Sequence, residues 1–233
     1  MEKVVVLTGA GMSAESGVAT FRDAGGLWEG HDIMEVASPE GWNNNPELVL
    51  DFYNQRRRQL HTVRPNAGHL AIAALEAEIA EVCVITQNVD NLHEKAGSSK
   101  VIHLHGELLK VRSTRKKSLI YHWEEDLKLG DTCELGAQLR PHIVWFGEQV
   151  PQLFRAAEEI KNTDAVLVIG TSMQVYPAAG LVDYAPEEAE LYYIDPKPSI
   201  NYALARRTEL TVIEENAGTG VKKAIDRLLK REG

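Results

Sequence analysis

VVVLTGAGMSAESG, residues 4–17, is the stretch whose reading decides the fold. Val4 to Leu7 form a short apolar run of the kind that makes a strand buried on both faces. Gly9 and Gly11 come directly after it, in the pattern G-x-G-x-x-A with Ala14 last. Glycines after a strand permit a tight turn and close approach of backbone to a diphosphate, and a helix N-terminus behind them offers free N–H groups to the anion. The spacing therefore predicts a strand, a phosphate turn and a helix. A tight β-to-α turn with no ligand would use the same residues. The acidic ribose reader of an ordinary dehydrogenase is not found at its usual spacing.

Outward from this stretch the same rhythm repeats. EVCVITQ (81–87), KVIHLHG (100–106), DAVLVIG (164–170) and ELYYID (190–195) read as strands. NAGHLAIAALEAEIA (66–80), PQLFRAAEEIKN (151–162) and AGTGVKKAIDRLLKRE (217–232) read as amphipathic helices. Short Val- and Ile-rich strands separated by helices predict an α/β fold, an open, doubly wound, Rossmann-like parallel sheet. Two stretches break the rhythm, 31–66 and 111–140, and are expected to form a smaller inserted lobe within a single 1–233 domain.

With 25 Lys and Arg against 34 Asp and Glu, the net charge is 25 − 34 = −9. Such a balance argues against nucleic acid or an anionic membrane as partner, since both select a basic surface. No apolar run approaches the ~20 residues of a membrane helix. The chain passes from Met1 straight into a strand with no signal-peptide pattern, so a cytoplasmic protein is expected. Two cysteines, Cys83 and Cys133, make neither a disulfide framework nor a cysteine-rich metal site.

Polar residues close four of the strands. They are the loop GAGMSAESGVATFRDAGGLW (9–28), TQNVD (86–90), HLHG (103–106) and GTS (170–172). Each alone could be a cap or turn; their convergence on the carboxyl edge of one sheet is where ligands bind in such folds.

Together with LRPHIVWFGE (139–148) and GTSMQVYPA (170–178), these motifs resemble, in order and over nearly the whole chain, the sirtuins, NAD-dependent protein lysine deacylases. The resemblance implies NAD as cofactor, with its diphosphate at Gly9, Ala10, Gly11, Ser13 and Ala14. Phe21, Arg22 and Trp28 match the cofactor loop. Gln87, Asn88 and Asp90 match the group holding the ribose and the nicotinamide carboxamide, with Asn88 and Asp90 counted among the catalytic residues. Gly170, Thr171 and Ser172 match contacts on the adenosine side, as do Asp195, Pro196 and Lys197, where the family often has Asn at the first position. Ala217 falls where family backbone touches adenine. His105 matches the base that deprotonates a ribose hydroxyl, a task suited to imidazole. His103, two residues away on a strand, points along the same face, so the residues alone leave both open and the motif selects His105. Val144, Phe146, Gly147 and Glu148 match the rim of the acyl-lysine tunnel, and an acylated protein or peptide is the implied partner of a monomeric enzyme.

DFYNQRRRQL (51–60) puts a tyrosine and three consecutive arginines on one predicted helix. A charge run is ordinarily a solvated face. Tyr53 and Arg56, three apart, share a face, and Y-x-x-R matches the sirtuin branch that removes succinyl and malonyl groups. Ala37 matches that branch's small residue. A guanidinium can grip the acyl carboxylate at two points while the phenol donates a third bond. Arg57 lies near the same face and is not excluded by geometry; Arg58 is expected to be solvated or paired.

Most sirtuins hold a structural zinc on two C-x-x-C pairs. Here RSTRKK (112–117) lacks the first pair, and of the second only Cys133 remains, with Gly136 in place of its partner. One thiolate cannot supply a four-ligand site, so no zinc is expected, and the lobe is a zinc-ribbon-like remnant held by Leu119, Tyr121, Trp123 and Leu127. Two other readings use the same scaffold. A mono-ADP-ribosyltransferase would have no need of Ala37, Tyr53 and Arg56, and a non-enzymatic NAD sensor no need of His105, Asn88 and Asp90.

Overall fold

The structure, a computed structural model, describes residues 1–19, 27–28 and 30–230. In chain order the strands are β1 (Lys3–Thr8), β2 (Leu27–Trp28), β3 (His31–Asp32), β4 (Glu81–Thr86), β5 (Val101–His103), β6 (Gly106–Ser113), β7 (Ile120–His122), β8 (Leu139–Ile143), β9 (Ala165–Ile169), β10 (Glu190–Ile194) and β11 (Leu210–Ile213). The helices are α1 (Ile33–Val36), α2 (Pro39–Asn44), α3 (Pro46–Leu60), α4 (Ala67–Leu75), α5 (Leu92–Ala96), α6 (Leu153–Ile160), α7 (Tyr202–Ala205) and α8 (Ala217–Lys230).

Six strands form a parallel sheet in the order β11-β10-β9-β1-β4-β5. β1 is central because Val4 to Leu7 can be buried on both faces; each is 0 % exposed, worth roughly 1.5–3 kcal/mol per side chain. Alternation sorts the apolar residues into two layers. Val5, Leu7, Cys83, Ile85, Val166 and Val168 face α6 and the 3-10 segment Ala178–Tyr184. Val4, Val6, Val84, Leu167 and Ile169 face α4 and α8. The chain leaves β1 for β4 on one side and later for β9 on the other, so the sheet's direction of growth reverses at β1 and a crevice opens at the strands' carboxyl ends.

The helix expected after β1 is not there. Two 3-10 turns, Ala10–Met12 and Ala14–Ser16, stand in its place, closed by Gly17 at φ +90°. Met12 is buried in the core and the Ser13 hydroxyl donates to Asp90, which anchor the two turns to the sheet. The glycines answer first to packing. A Cβ on Gly11 would lie 2.7 Å from Gly170 Cα, and one on Gly170, itself at φ +59°, would lie 2.3 Å from Met12 N.

The first stretch outside the sheet's rhythm, 31–66, holds α1–α3. The small antiparallel sheet β7-β6-β8 is wider than the expected 111–140, since β6 begins at Gly106, inside the run 100–106 that reads as a single strand, and β8 ends at Ile143. Asn45 and Pro46 start α3: Asn45 accepts a hydrogen bond from Leu48 N and Pro46 occupies the first turn. Leu127 and Leu139 pack with Leu119, Tyr121 and Trp123 around Val111. Helix α3 latches onto this sheet through polar groups. The Asn54 amide donates to Leu127 O and accepts from Leu127 N, both at 2.9 Å. Arg57, fully buried, donates to Leu108 O, Asn54 Oδ1 and Glu125 O. No helix among the described residues is long and apolar enough to cross a membrane.

Candidate active site

The carboxyl edge of β1, β4 and β9 carries a continuous buried hydrogen-bond chain. Ser13 donates to Asp90 Oδ2 at 2.9 Å and accepts from Asn88 Nδ2 at 3.1 Å. Asp90 Oδ1 accepts from Leu92 N, the start of α5. Burial pushes the Asp90 carboxyl upward, partly offset by the Leu92 and Ser13 donors. Behind it, Asn88 N donates to Thr86 Oγ1 and Thr8 donates to the same oxygen. With its proton given to Thr86, Thr8 accepts from His93 Nε2 at 3.1 Å. On the β9 side Gln87 donates to Thr171 Oγ1, and the Thr171 carbonyl accepts from Tyr193 OH. Asp195, at the end of β10, is buried with Oδ1 accepting from Lys197 N. Pro196 and Lys197 are exposed and Ser172 half-buried. Ala217 opens α8, its carbonyl against Gly68, where an added Cβ would come within 2.8 Å. A depression of about 570 Å³ around Met1, Asp164 and Glu190 lies at the opposite, amino edge of the strands and shares none of these groups.

Geometry separates the two histidines that the sequence leaves together. His105 Nδ1 faces Gln87 O at 3.1 Å and His103 Nδ1 faces Asn88 O at 3.0 Å. A carbonyl only accepts, so both Nδ1 atoms carry hydrogen. His103 Nε2 also meets Glu94 Oε1 at 2.7 Å. Burial is the largest single influence on His103 and lowers its pKa, but Glu94 and the Asn88 carbonyl outweigh it, so the net shift of His103 is upward. His105 has no such carboxylate. Burial lowers its pKa, against a smaller opposing pull from the Gln87 carbonyl, and its Nε2 is left basic. Of the two, only His103 has its Nε2 against a carboxylate, which leaves His105 as the better placed base.

Residues 144–148 run from this base to α3. Val144 N donates to His105 O at 2.9 Å, and Phe146 N donates to Ala37 O at 2.9 Å. Between them, Trp145 Nε1 donates to Tyr53 OH at 3.0 Å. Glu148 accepts from Trp145 N, Arg112 and Arg140. Burial acts to raise the Glu148 pKa, but these donors win and hold it below the usual carboxylate range. Its carboxylate therefore braces the segment. Gly147 turns at φ +85° and Phe146 is 44 % exposed. On α3, Arg56 stacks on the Phe52 ring, 3.5 Å from its centroid, and donates to Phe52 O at 2.6 Å. Arg58 pairs with Asp126.

A family model described as Sir2 matches residues 9–177. The chain belongs to the Sir2 family. A protein from Helicobacter pylori (strain J99) named NAD-dependent protein deacylase is 56% identical over 99% of this chain and 97% of its own. One of the same name from Bacteroides thetaiotaomicron is 51% identical, covering 96% of each. A Sir2 homolog solved as an NAD complex superposes with a TM-score of 0.87 at 37% identity, covering 99% of this chain and 91% of that one. A mutant Sir2 homologue solved with ADP ribose gives a TM-score of 0.87 at 36% identity over 98% and 92%.

In this Sir2 chain the residues expected at the cofactor edge meet at one end of the sheet, apart from Phe21 and Arg22, which lie outside the described residues. Trp28 is described only as part of β2, paired with His31. Ala37 and Tyr53 share one buried cluster with Trp145, Phe146 N donates to Ala37 O, and Val144 is tied instead to His105 O. Sequence reasoning passed over Trp145, although it stands inside VWFGE (144–148), and over Arg112 and Arg140. A tryptophan in a buried strand end needs a partner for its N–H, which was the available signal.

The buried chain also sets an acid limit. His69 and His93 pack edge to face at 4.8 Å, both shielded from solvent. Burial pushes His69 down from 6.5 to about 4, and burial with the neighbouring His69 pushes His93 well down. As pH falls below the unfolded value, only the unfolded chain takes up these protons. Stability is thus complete above pH ~6.5 and is lost between there and pH ~4, by about 3 kcal/mol for His69 alone. Urea unfolding across this window should show the loss, and His69→Gln should flatten the profile. An equal slope in the variant would assign the acid limit elsewhere.

Proposed function

We propose that this Sir2 enzyme is an NAD-dependent protein lysine deacylase that prefers succinyl- and malonyl-lysine to acetyl-lysine, releasing nicotinamide and the O-acyl-ADP-ribose. The observation that carries the reading is Tyr53 and Arg56 one turn apart on α3, with Tyr53 joined through Trp145 and Val144 to the backbone of His105. Acyl-lysine side chains of proteins or peptides are the substrates, and a cytoplasmic monomer is the expected form.

The carboxyl edge suits a dinucleotide in its donor set. Gly9 and Gly11 keep side chains away from the turn, while Ser13, Gln87, Asn88, Asp90 and Asp195 supply hydroxyl, amide and carboxylate groups for ribose and carboxamide. Bound there, NAD supplies an electrophilic ribose carbon with nicotinamide as its leaving group. Asn88 and Asp90, fixed through Ser13 and Leu92 N, orient the ribose. His105 Nε2 accepts the ribose hydroxyl proton. Arg56 and Tyr53 hold the carboxylate of an acidic acyl group, which excludes the slack an acetyl group would leave. One peptide bearing acetyl-, succinyl- or malonyl-lysine, incubated with enzyme and NAD and followed by mass spectrometry, tests this. Faster loss of the acidic groups supports it. Loss of acetyl alone refutes the pocket, and an added ADP-ribose mass favours a transferase.

We infer that the small lobe holds no zinc, from the chemistry of its residues. Among the described residues no three His, Cys, Asp or Glu are grouped to share a metal. The Cys133 thiol bonds Ser113 Oγ at 3.2 Å, and Gly136 sits at φ +67°, where an L-residue is strained. Elemental analysis of purified protein should find well under one zinc per chain, and a chelator should leave the melting temperature unchanged. Stoichiometric zinc would overturn the reading.

A further inference from the structure

We propose that Trp145 is a specificity-positioning residue: its indole N–H holds the Tyr53 phenol in the orientation that delivers the phenolic hydrogen to the carboxylate of an acidic acyl group. This rests on the acidic-acyl reading of the α3 pocket.

An indole N–H can only donate. The 3.0 Å contact from Trp145 Nε1 therefore uses an acceptor lone pair of Tyr53 and turns the phenol's own O–H away from the indole. Burial raises the Tyr53 pKa above its ordinary value, so the phenol keeps its hydrogen and acts as a donor. A free rotor would share that hydrogen among several directions; with one lone pair engaged, the rotor is fixed.

Trp145 is itself held from several sides, more than packing requires. The Arg140 guanidinium lies 3.3 Å from the centre of the indole, and Trp42 packs at 5.8 Å. Glu148 grips the Arg140 guanidinium and the Trp145 N–H together, with Arg112 on the same carboxylate. The residues on either side are pinned to His105 O and Ala37 O. A phenylalanine would fill much of the same space; only tryptophan brings an N–H to the phenol. That bond has no counterpart for an acetyl group, which offers nothing for Tyr53 to donate to.

The test is the ratio of kcat/KM for succinyl-lysine to that for acetyl-lysine on one peptide, with kcat and KM separated, in the full-length enzyme, Trp145→Phe, Tyr53→Phe and the double variant. Trp145→Phe should lower the ratio roughly tenfold, the size of one net hydrogen bond, chiefly through KM for the succinyl peptide. Tyr53→Phe should lower it at least as far, and the double variant no further than Tyr53→Phe, since the two act in series. A full additional loss in the double variant would overturn the inference, as would an unchanged ratio in Trp145→Phe while Arg56→Met collapses it; both leave the pocket reading intact. A wild-type enzyme with no preference for the acidic acyl group would overturn the pocket reading and this inference with it.

Discussion

Arg56→Met should lower the ratio of desuccinylation to deacetylation by roughly 100-fold. That size reflects removal of one partner of a desolvated, hydrogen-bonded charge pair, which costs about 2–5 kcal/mol. Methionine keeps much of the side chain's length and its contact with Phe52, over which Arg56 now lies, so the change is chiefly one of charge and donors. The loss should fall on the succinyl and malonyl substrates and be visible in KM as well as kcat, because the carboxylate is gripped both before and during reaction. Arg56→Lys should recover only part, since an ammonium offers a point charge where the guanidinium offers a two-point fork. Parallel kinetics on acetyl- and succinyl-lysine versions of one peptide measure the ratio; equal loss of both activities would remove Arg56 from acyl recognition.

Replacing His105 with Asn should remove deacylation of every acyl group, by about 10²–10⁴ in kcat. The amide can still reach the Gln87 carbonyl that now holds Nδ1, but it has no basic nitrogen. The pH dependence carries the sign of the environment. Burial lowers the His105 pKa, so the neutral, basic form persists below pH ~6.5, the ordinary value for imidazole. The acid limb of the wild-type kcat/KM profile should therefore have its midpoint under that value, and the limb should be missing from the residual activity of the variant. A midpoint above it would point to His103, whose shift is upward. Pre-steady-state and steady-state rates between about pH 5 and 8, the range in which imidazole titrates, decide between them.

The sheet was legible because short, β-branched apolar runs closed by turn residues leave few alternatives for Val4–Leu7 or Ala165–Ile169. The turn after β1 was not. Gly9 and Gly11 read equally well as the start of a helix and as a place where two backbones touch, and only the position of Gly170 shows that the second holds. The three arginines divide in the same way. Helical spacing put Tyr53 and Arg56 on one face and sent Arg58 elsewhere, where it meets Asp126. It could not assign Arg57, because that depends on carbonyls supplied by Leu108 and Glu125, which are remote in sequence. An unbroken strand would put His103 and His105 on one face, but β5 ends at His103, and the difference between them is Glu94, placed by α5. Pattern reading finds faces; it does not find the groups that a distant segment brings to them.

Asn54 gives the small sheet an attachment of an unusual chemical kind. Its amide closes on the backbone of Leu127 as a second peptide group would, and the neighbouring guanidinium of Arg57 completes the joint. Neither group is a target for peroxide or for electrophiles that capture sulfur, and both cysteines of the chain, Cys83 and Cys133, are buried. A lobe clamped by thiolates comes loose when its sulfurs are oxidised. The bonds of Asn54 and Arg57 contain no sulfur, so this joint between α3 and the small sheet should withstand oxidants that release a thiolate-held lobe.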